Sequence, residues 1–233
     1  KGVGLIAIKP LAAGSIVKWD GGPVFKGDGW EFRITGRVLE DYSFVDADAS
    51  GAEWNASELR SLRLGVSGKY GDNVKFKVEL NTDSTGDVKV EDAFVEWAPT
   101  GDDWALKLGQ YKTQNSLDEQ TSSRFTSVLE RAAFTDAFDF DRRPGLSAGV
   151  SGDNYGFSVG VFGNNLNENS GQEGHAAAAR ATFNPIKNDK LLVHLGASAR
   201  YRKIGESQGD FRYAQRPFAH IPGRIISTGS IAD

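Results

Sequence analysis

Taken two residues at a time, the stretch GWEFRITGRVLEDYSF (29–44) separates into two series. Trp30, Phe32, Ile34, Gly36 and Val38 are apolar or small, whereas Glu31, Arg33, Thr35, Arg37 and Asp41 are polar. A period of two marks a β-strand with unlike faces. The same alternation predicts nine strands, over roughly 29–44, 57–70, 73–83, 86–98, 102–112, 144–152, 154–163, 175–185 and 190–204. Strands in globular domains usually run about 5–6 residues, whereas a tilted strand crossing a bilayer needs about 9–11. The predicted strands fall mostly in the longer class.

The connections alternate as well. YGDN (70–73), APTGDD (98–103), SGDN (151–154) and NPIKND (184–189) are tight turns by composition. Between them lie connections that are mostly long, at 45–56, 111–143, 164–174 and from 205 onward, with TDSTGD (82–87) the short one. Turns at one end and loops at the other describe an up-and-down meander, the plan of an outer-membrane β-barrel. Residues 1–28 are Gly-rich and weakly patterned, an arm or one weak strand. Residues 29–233 read as a single barrel unit.

The polar series carries mostly one sign. Arg33, Arg37, Arg63, Lys69, Lys75, Lys77, Lys107, Arg180, Arg200 and Arg202 outnumber Glu31, Asp41 and Glu79. A soluble sandwich also alternates, but its solvent faces mix signs. Aromatic residues fall near strand ends (Trp30, Tyr42, Phe44, Tyr70, Trp97, Trp104, Tyr111, Tyr155, Phe183, Tyr201), where barrels carry interfacial girdles. The expectation is a transmembrane barrel whose basic wall lines a path for anions. The strand at 88–98 does not hold one register, so a bulge is expected near Glu91–Asp92.

Composition leaves this picture standing. The 233 residues carry a net charge of −4, with 39% hydrophobic residues and neither cysteine nor methionine. Mean hydropathy is −0.40. No run approaches the roughly 18 apolar residues of a spanning helix, which says nothing against a barrel. Thiolate metal sites and disulfides are excluded, and a globally basic nucleic-acid footprint is missing. DADASG (46–51) opens like a calcium loop with Asp46, Asp48 and Ser50, but Ser57 stands where an acid is expected, and Glu58 comes one late. His175, His194 and His220 lack metal spacing, and His194 reads as a pore-wall residue. No cofactor and no enzymatic chemistry are expected.

The connection 111–143 is too long for a plain hairpin loop. Phe125, Val128, Leu129, Ala132 and Ala133 fall at helical spacing, predicting a helix within 121–138 capped by Ser122 or Ser123. Such an amphipathic insertion would fold into the barrel and narrow it, with Arg124 and Arg131 directed at the constriction.

FRITGRVLEDYS, LRSLRLGVSG, LKLGQYKTQNSLDEQTSSRFTSVLERAAF and VHLGASARYRK occur in order, with a looser RYAQRP, over about residues 30–217. Together they resemble the phosphate-selective porin O and P family of the Gram-negative outer membrane. TSSxxxxxxER in the third long loop is the most specific piece. The resemblance implies a sixteen-strand porin, usually a homotrimer in outer-membrane lipid, with an arginine ladder leading phosphate or polyphosphate-type anions to a constriction. Arg37, Arg60, Arg124, Arg131 and Arg202 match its basic positions, and Arg212 and Arg216 lie where a fifth loop brings arginines inward. The alternative is a non-conducting structural or adhesive barrel. Two departures stand out. The family pairs basic residues in the second strand, whereas here Ser61 follows Arg60, and simple alternation turns Arg63 inward instead. Nine strands do not close a sixteen-strand barrel, and STGSIAD is not a terminal aromatic strand, so the chain is expected to be part of a longer barrel.

Overall fold

The computed structural model describes residues 5–6, 23–47, 52–99, 103–123, 125–126, 128, 130–138, 141–167, 174–205, 212–216, 220–221, 224 and 226–231. Nine long strands follow one another: β3 Trp30–Ala47, β4 Ala52–Tyr70, β5 Val74–Thr82, β6 Val88–Trp97, β7 Trp104–Lys112, β8 Arg142–Ser151, β9 Tyr155–Phe162, β10 His175–Lys187 and β11 Leu192–Lys203. Short pieces complete the list: β1 Leu5–Ile6, β2 Val24–Gly27, β12 Ala214–Gln215, β13 Ile226–Ser227, and the helices α1 Leu117–Gln120 and α2 Ala133–Ala137. Each long strand pairs antiparallel with the next, giving one up-and-down sheet from β3 to β11, with β1 and β2 along parts of the β3 edge.

All nine predicted strands exist, but one connection was misjudged. The polar stretch 45–56 is not a long loop. β3 and β4 stay in register out to Ala47↔Ala52. DADASGAE lacks an apolar series, and periodicity senses burial rather than backbone pairing, which polar residues make equally well.

Register shifts occur on three strand pairs among the described residues, and two of them govern which side chains share the charged face around the inserted connection. On β6, Glu79↔Asp92 is followed by Leu80↔Val90, leaving Glu91 as the extra residue at the predicted place. On β4, Leu39↔Ser61 is followed by Glu40↔Leu59, leaving Arg60 as the extra one. A bulge sets two neighbouring residues against one partner and resets the alternation beyond it. Arg60 and Arg63 therefore both serve the charged face, and the conflict between them disappears.

The apolar face is bare. Leu64, Leu108 and Val161 are each about three-fifths exposed (61%, 64% and 60%), and Leu62, Val78, Leu80, Val95, Leu146, Phe157 and Val159 are also exposed. Many of the most buried side chains are instead polar: Gln110, Thr113 and Asn115, with Arg143, Asn164 and Glu119 close behind. Apolar outside and polar inside is the arrangement lipid selects, whereas in water so large a patch would drive association. Trp30 pairs with Tyr70 and Tyr155 with Phe183, and the Trp97 and Trp104 rings lie 5.6 Å apart, so these girdle residues share the turn rim. Tyr111 departs from the predicted girdle. It is buried between Phe94 and Phe162, and its hydroxyl donates to Ser147 Oγ at 2.7 Å.

β6 and β7 separate beyond Ala93↔Gln110. Gly109 sits at φ +125°, where a Cβ would overlap the Ala93 carbonyl oxygen, so only glycine makes the bend. Side chains seal the split. Gln110 Nε2 donates to the Val90 and Glu91 carbonyls at 2.6 and 3.2 Å. Asn167 accepts from Val90 N at 2.7 Å and donates to Val90 O at 2.9 Å, replacing a strand neighbour with one amide.

Candidate functional site

The connection between β7 and β8 lies over the charged face. It does not form the predicted 121–138 helix. α1 comes earlier, capped by Ser116, whose Oγ accepts from Glu119 N at 3.2 Å. α2 starts only at Ala133, and Asp118 Oδ2 accepts from Ala132 N and Thr135 Oγ1, both at 3.0 Å. Between them Thr121 and Thr126 hydroxyls donate to the Leu117 and Ser123 carbonyls, local bonds that compete with a continuing helix. Phe125 and Val128, predicted to be on a packed face, are exposed.

The wall holds this connection at several points. Arg37 on β3 donates to Ser123 Oγ at 2.6 Å. Arg60 on β4 grips Glu130 with both terminal nitrogens, at 2.5 and 2.8 Å, and reaches Asp41 at 3.0 Å. Arg200, on β11 at the other end of the sheet, donates to Phe138 O at 3.1 Å. One stretch of chain thus touches the first and the last long strands, which laid flat would stand about 38 Å apart. The charged face is concave around it.

The base of the connection is tied to itself. Lys112 Nζ donates to the carbonyls of Glu119 and Thr121 at 2.5 and 3.2 Å and lies 3.4 Å from the Glu119 carboxylate. Arg131 donates to Thr121 O at 2.8 Å and approaches Glu119 at 3.6 Å. Burial pushes the Glu119 carboxyl above the usual carboxylate range, against the opposing pull of Lys112 and Arg131.

Between connection and wall lies a cavity of about 320 Å³. Six cations line it, Arg37, Arg63, Lys77, Lys107, Lys112 and Arg142, against two carboxylates, Glu79 and Asp92. Hydroxyls of Thr35, Ser67, Ser122 and Ser123 face the same space. Several cations are held by acids. Arg63 meets Glu79 at 3.2 Å and Glu91 at 3.0 Å. Lys77 meets Asp92 at 2.5 Å and Glu79 at 3.2 Å. Arg142 meets Glu91 at 2.6 Å and Asp92 at 2.7 Å. Lys107 meets Glu96 at 2.5 Å and stands 4.6 Å over the Phe94 ring.

This corrects the expected one-sign wall. Glu91, Asp92 and Glu96 share the charged face, and the bulge brings the first two there together. Alternation does not reveal them because β6 has no single parity. It also missed Lys112 and Arg142, which lie at strand ends where alternation is weakest. The cavity nonetheless keeps a cationic excess. Of the other candidates, Arg33 is exposed on β3 and Lys75 on β5. The Arg180 guanidinium lies over Gly196, where any side chain would crowd it. Arg202 stands on β11, Arg212 is exposed, and Arg216 N donates to Asp136 at 3.4 Å. His194 meets Asn184 at 2.7 Å. Asp46 is the penultimate residue of β3, opposite Glu53. Arg124, Asp48 and Ser50 fall outside the described residues.

Long antiparallel strands, an apolar exterior, a polar concave face and an inserted connection define the plan of the outer-membrane β-barrel proteins. Among these, the chain belongs to the phosphate-selective porin O and P family, which it matches over residues 32–233. Its relatives include an uncharacterized protein of Caulobacter vibrioides, 35% identical over 94% of this chain and 47% of that protein. Porin O of Pseudomonas aeruginosa is 26% identical over 87% of this chain and 48% of its own length. The chain thus spans about half the length of the curated relatives it matches. Its place is the outer membrane, and its family points to a channel rather than an enzyme.

Proposed function

We propose that the chain forms part of an anion-selective porin, through which phosphate or polyphosphate-type anions diffuse passively between the inserted connection and the concave wall. The nine long strands would be one arc of a closed barrel, and the porin would assemble as a homotrimer in lipid. The observation that carries this reading is the cavity, where six cations, two carboxylates and the hydroxyls of Thr35, Ser67, Ser122 and Ser123 surround a space large enough for a phosphate with its waters. Arginine fits phosphate oxygens in pairs, and lysine supplies a less directional charge. The interleaved carboxylates have a role too, because an anion held by every cation at once would not leave.

The test is chloride current through the purified full-length channel in planar bilayers, titrated with phosphate. Phosphate should block it, and Arg37→Ala and Lys107→Ala should each weaken the block about tenfold, the scale of one charge-assisted hydrogen bond. Current indifferent to phosphate in the unaltered channel contradicts the specificity. A protein without current supports the structural alternative.

A further inference from the structure

Arg60 matches a basic position of the anion path, but its surroundings do not suit that task. As the extra residue of the β4 bulge it projects onto the concave face, where both terminal nitrogens are taken by the two oxygens of Glu130, and Nη1 also reaches Asp41. The three side chains are mostly covered, at 23%, 19% and 16% exposure. Glu58, the register partner of Asp41, adds another carboxylate, 2.5 Å from His220 Nδ1. One guanidinium among several carboxylates offers no attraction to a passing anion.

Glu130 and Arg131 close the most specific motif of the sequence, and they point to different partners. Glu130 fastens the connection to the wall. Arg131 fastens it to itself through Glu119 and Thr121. The Ser122–Ser123 edge of the cavity lies in the short span between the self-tied base and the Glu130 anchor. Ser123 is tied to β3 by Arg37 and Glu130 to β4 by Arg60, so two neighbouring strands hold the stretch that carries that edge.

We propose that Glu130 and Arg60 form a clasp that sets the width of the anion passage, as positioning residues that do not touch the anion. This rests on the channel reading. A two-pronged pair fixes orientation as well as charge, so lysine would not replace Arg60.

The experiment compares the full-length channel with Glu130→Gln, Arg60→Lys, Arg60→Glu and the reversed pair Arg60→Glu/Glu130→Arg. It reads phosphate block and open-channel noise. Each single variant should raise the noise and weaken the block about tenfold, because Glu130→Gln and Arg60→Glu remove one charge of the pair and Arg60→Lys removes its second prong. The reversed pair should recover both readouts in part, since its new carboxylate stands beside Asp41. Tighter block in Glu130→Gln would overturn the proposal, since it would mean that Arg60 binds the anion once released. A reversed pair no better than Arg60→Glu would also overturn it. If Arg60→Glu fails to insert while the reversed pair inserts, the pairing is supported. If neither inserts, Arg60→Lys decides: behaviour like Glu130→Gln supports the clasp, and behaviour like the unaltered channel overturns it. Trypsin cleavage within 113–141 of the folded protein separates the clasp from the channel reading. Even in a protein without current, Glu130→Gln should speed cleavage about tenfold, and unchanged cleavage there would sink the clasp.

Discussion

Glu119 shows what burial does to a single carboxyl here. It faces Lys112 and Arg131, yet loss of water outweighs them and its affinity for a proton rises. A raised pKa in the docked connection means that docking binds protons. The Glu119 contribution to docking is therefore fully present at acid pH and is lost as pH rises through that raised value. Glu119→Gln imitates the protonated form. Its channel noise should differ from that of the unaltered protein at neutral pH and converge with it as pH falls toward 4. A difference that grows on acidification would mean that the charged form is the one the site favours.

Residue roles were only partly legible in the sequence. Arg37, Arg63, Lys77 and Lys107 are legible because each lies in a stretch that keeps parity with its neighbours. Glu91 and Asp92 were passed over because a bulge gives both of them one face. The signal for the second bulge was present in the disagreement between Arg60 and Arg63: two arginines three apart cannot both turn inward on a regular strand. The ties of Glu130 and Arg131 were out of reach, since nothing local says which wall a connection will meet.

At the scale of elements, alternation located every long strand, because each has one face in lipid and one in a polar interior, and that asymmetry is written residue by residue. It failed where the asymmetry stops, at the polar extension of β3 and β4. It also failed in the 113–141 connection, where helical spacing lost to hydroxyl side chains and to anchors on distant strands. The face assignment makes a prediction. Val78→Lys puts a charge on the apolar face and should destabilise the folded protein by about 2–4 kcal/mol if it lies near mid-membrane. Ser67→Gln, on the charged face, should be close to neutral. Urea unfolding in lipid vesicles measures both, and equal effects would contradict the assignment.

At the scale of the whole molecule, β3 and β11 run in the same direction, because nine antiparallel strands are an odd number. Two copies set edge to edge would bring those edges together in parallel, so an antiparallel barrel needs an odd number of further strands between them. The concave face is crossed by a connection that reaches both ends of the sheet. In the proposed channel, what passes would depend on the balance of charge in the cavity, where paired carboxylates temper the cations without cancelling them. The most direct measurement is the zero-current potential of the full-length porin in a planar bilayer under a KCl gradient. A potential with the sign of chloride diffusion, collapsing when phosphate is added, is what the cationic cavity predicts. A potential with the sign of potassium diffusion would contradict it, because the carboxylates of the lattice would then govern the passage.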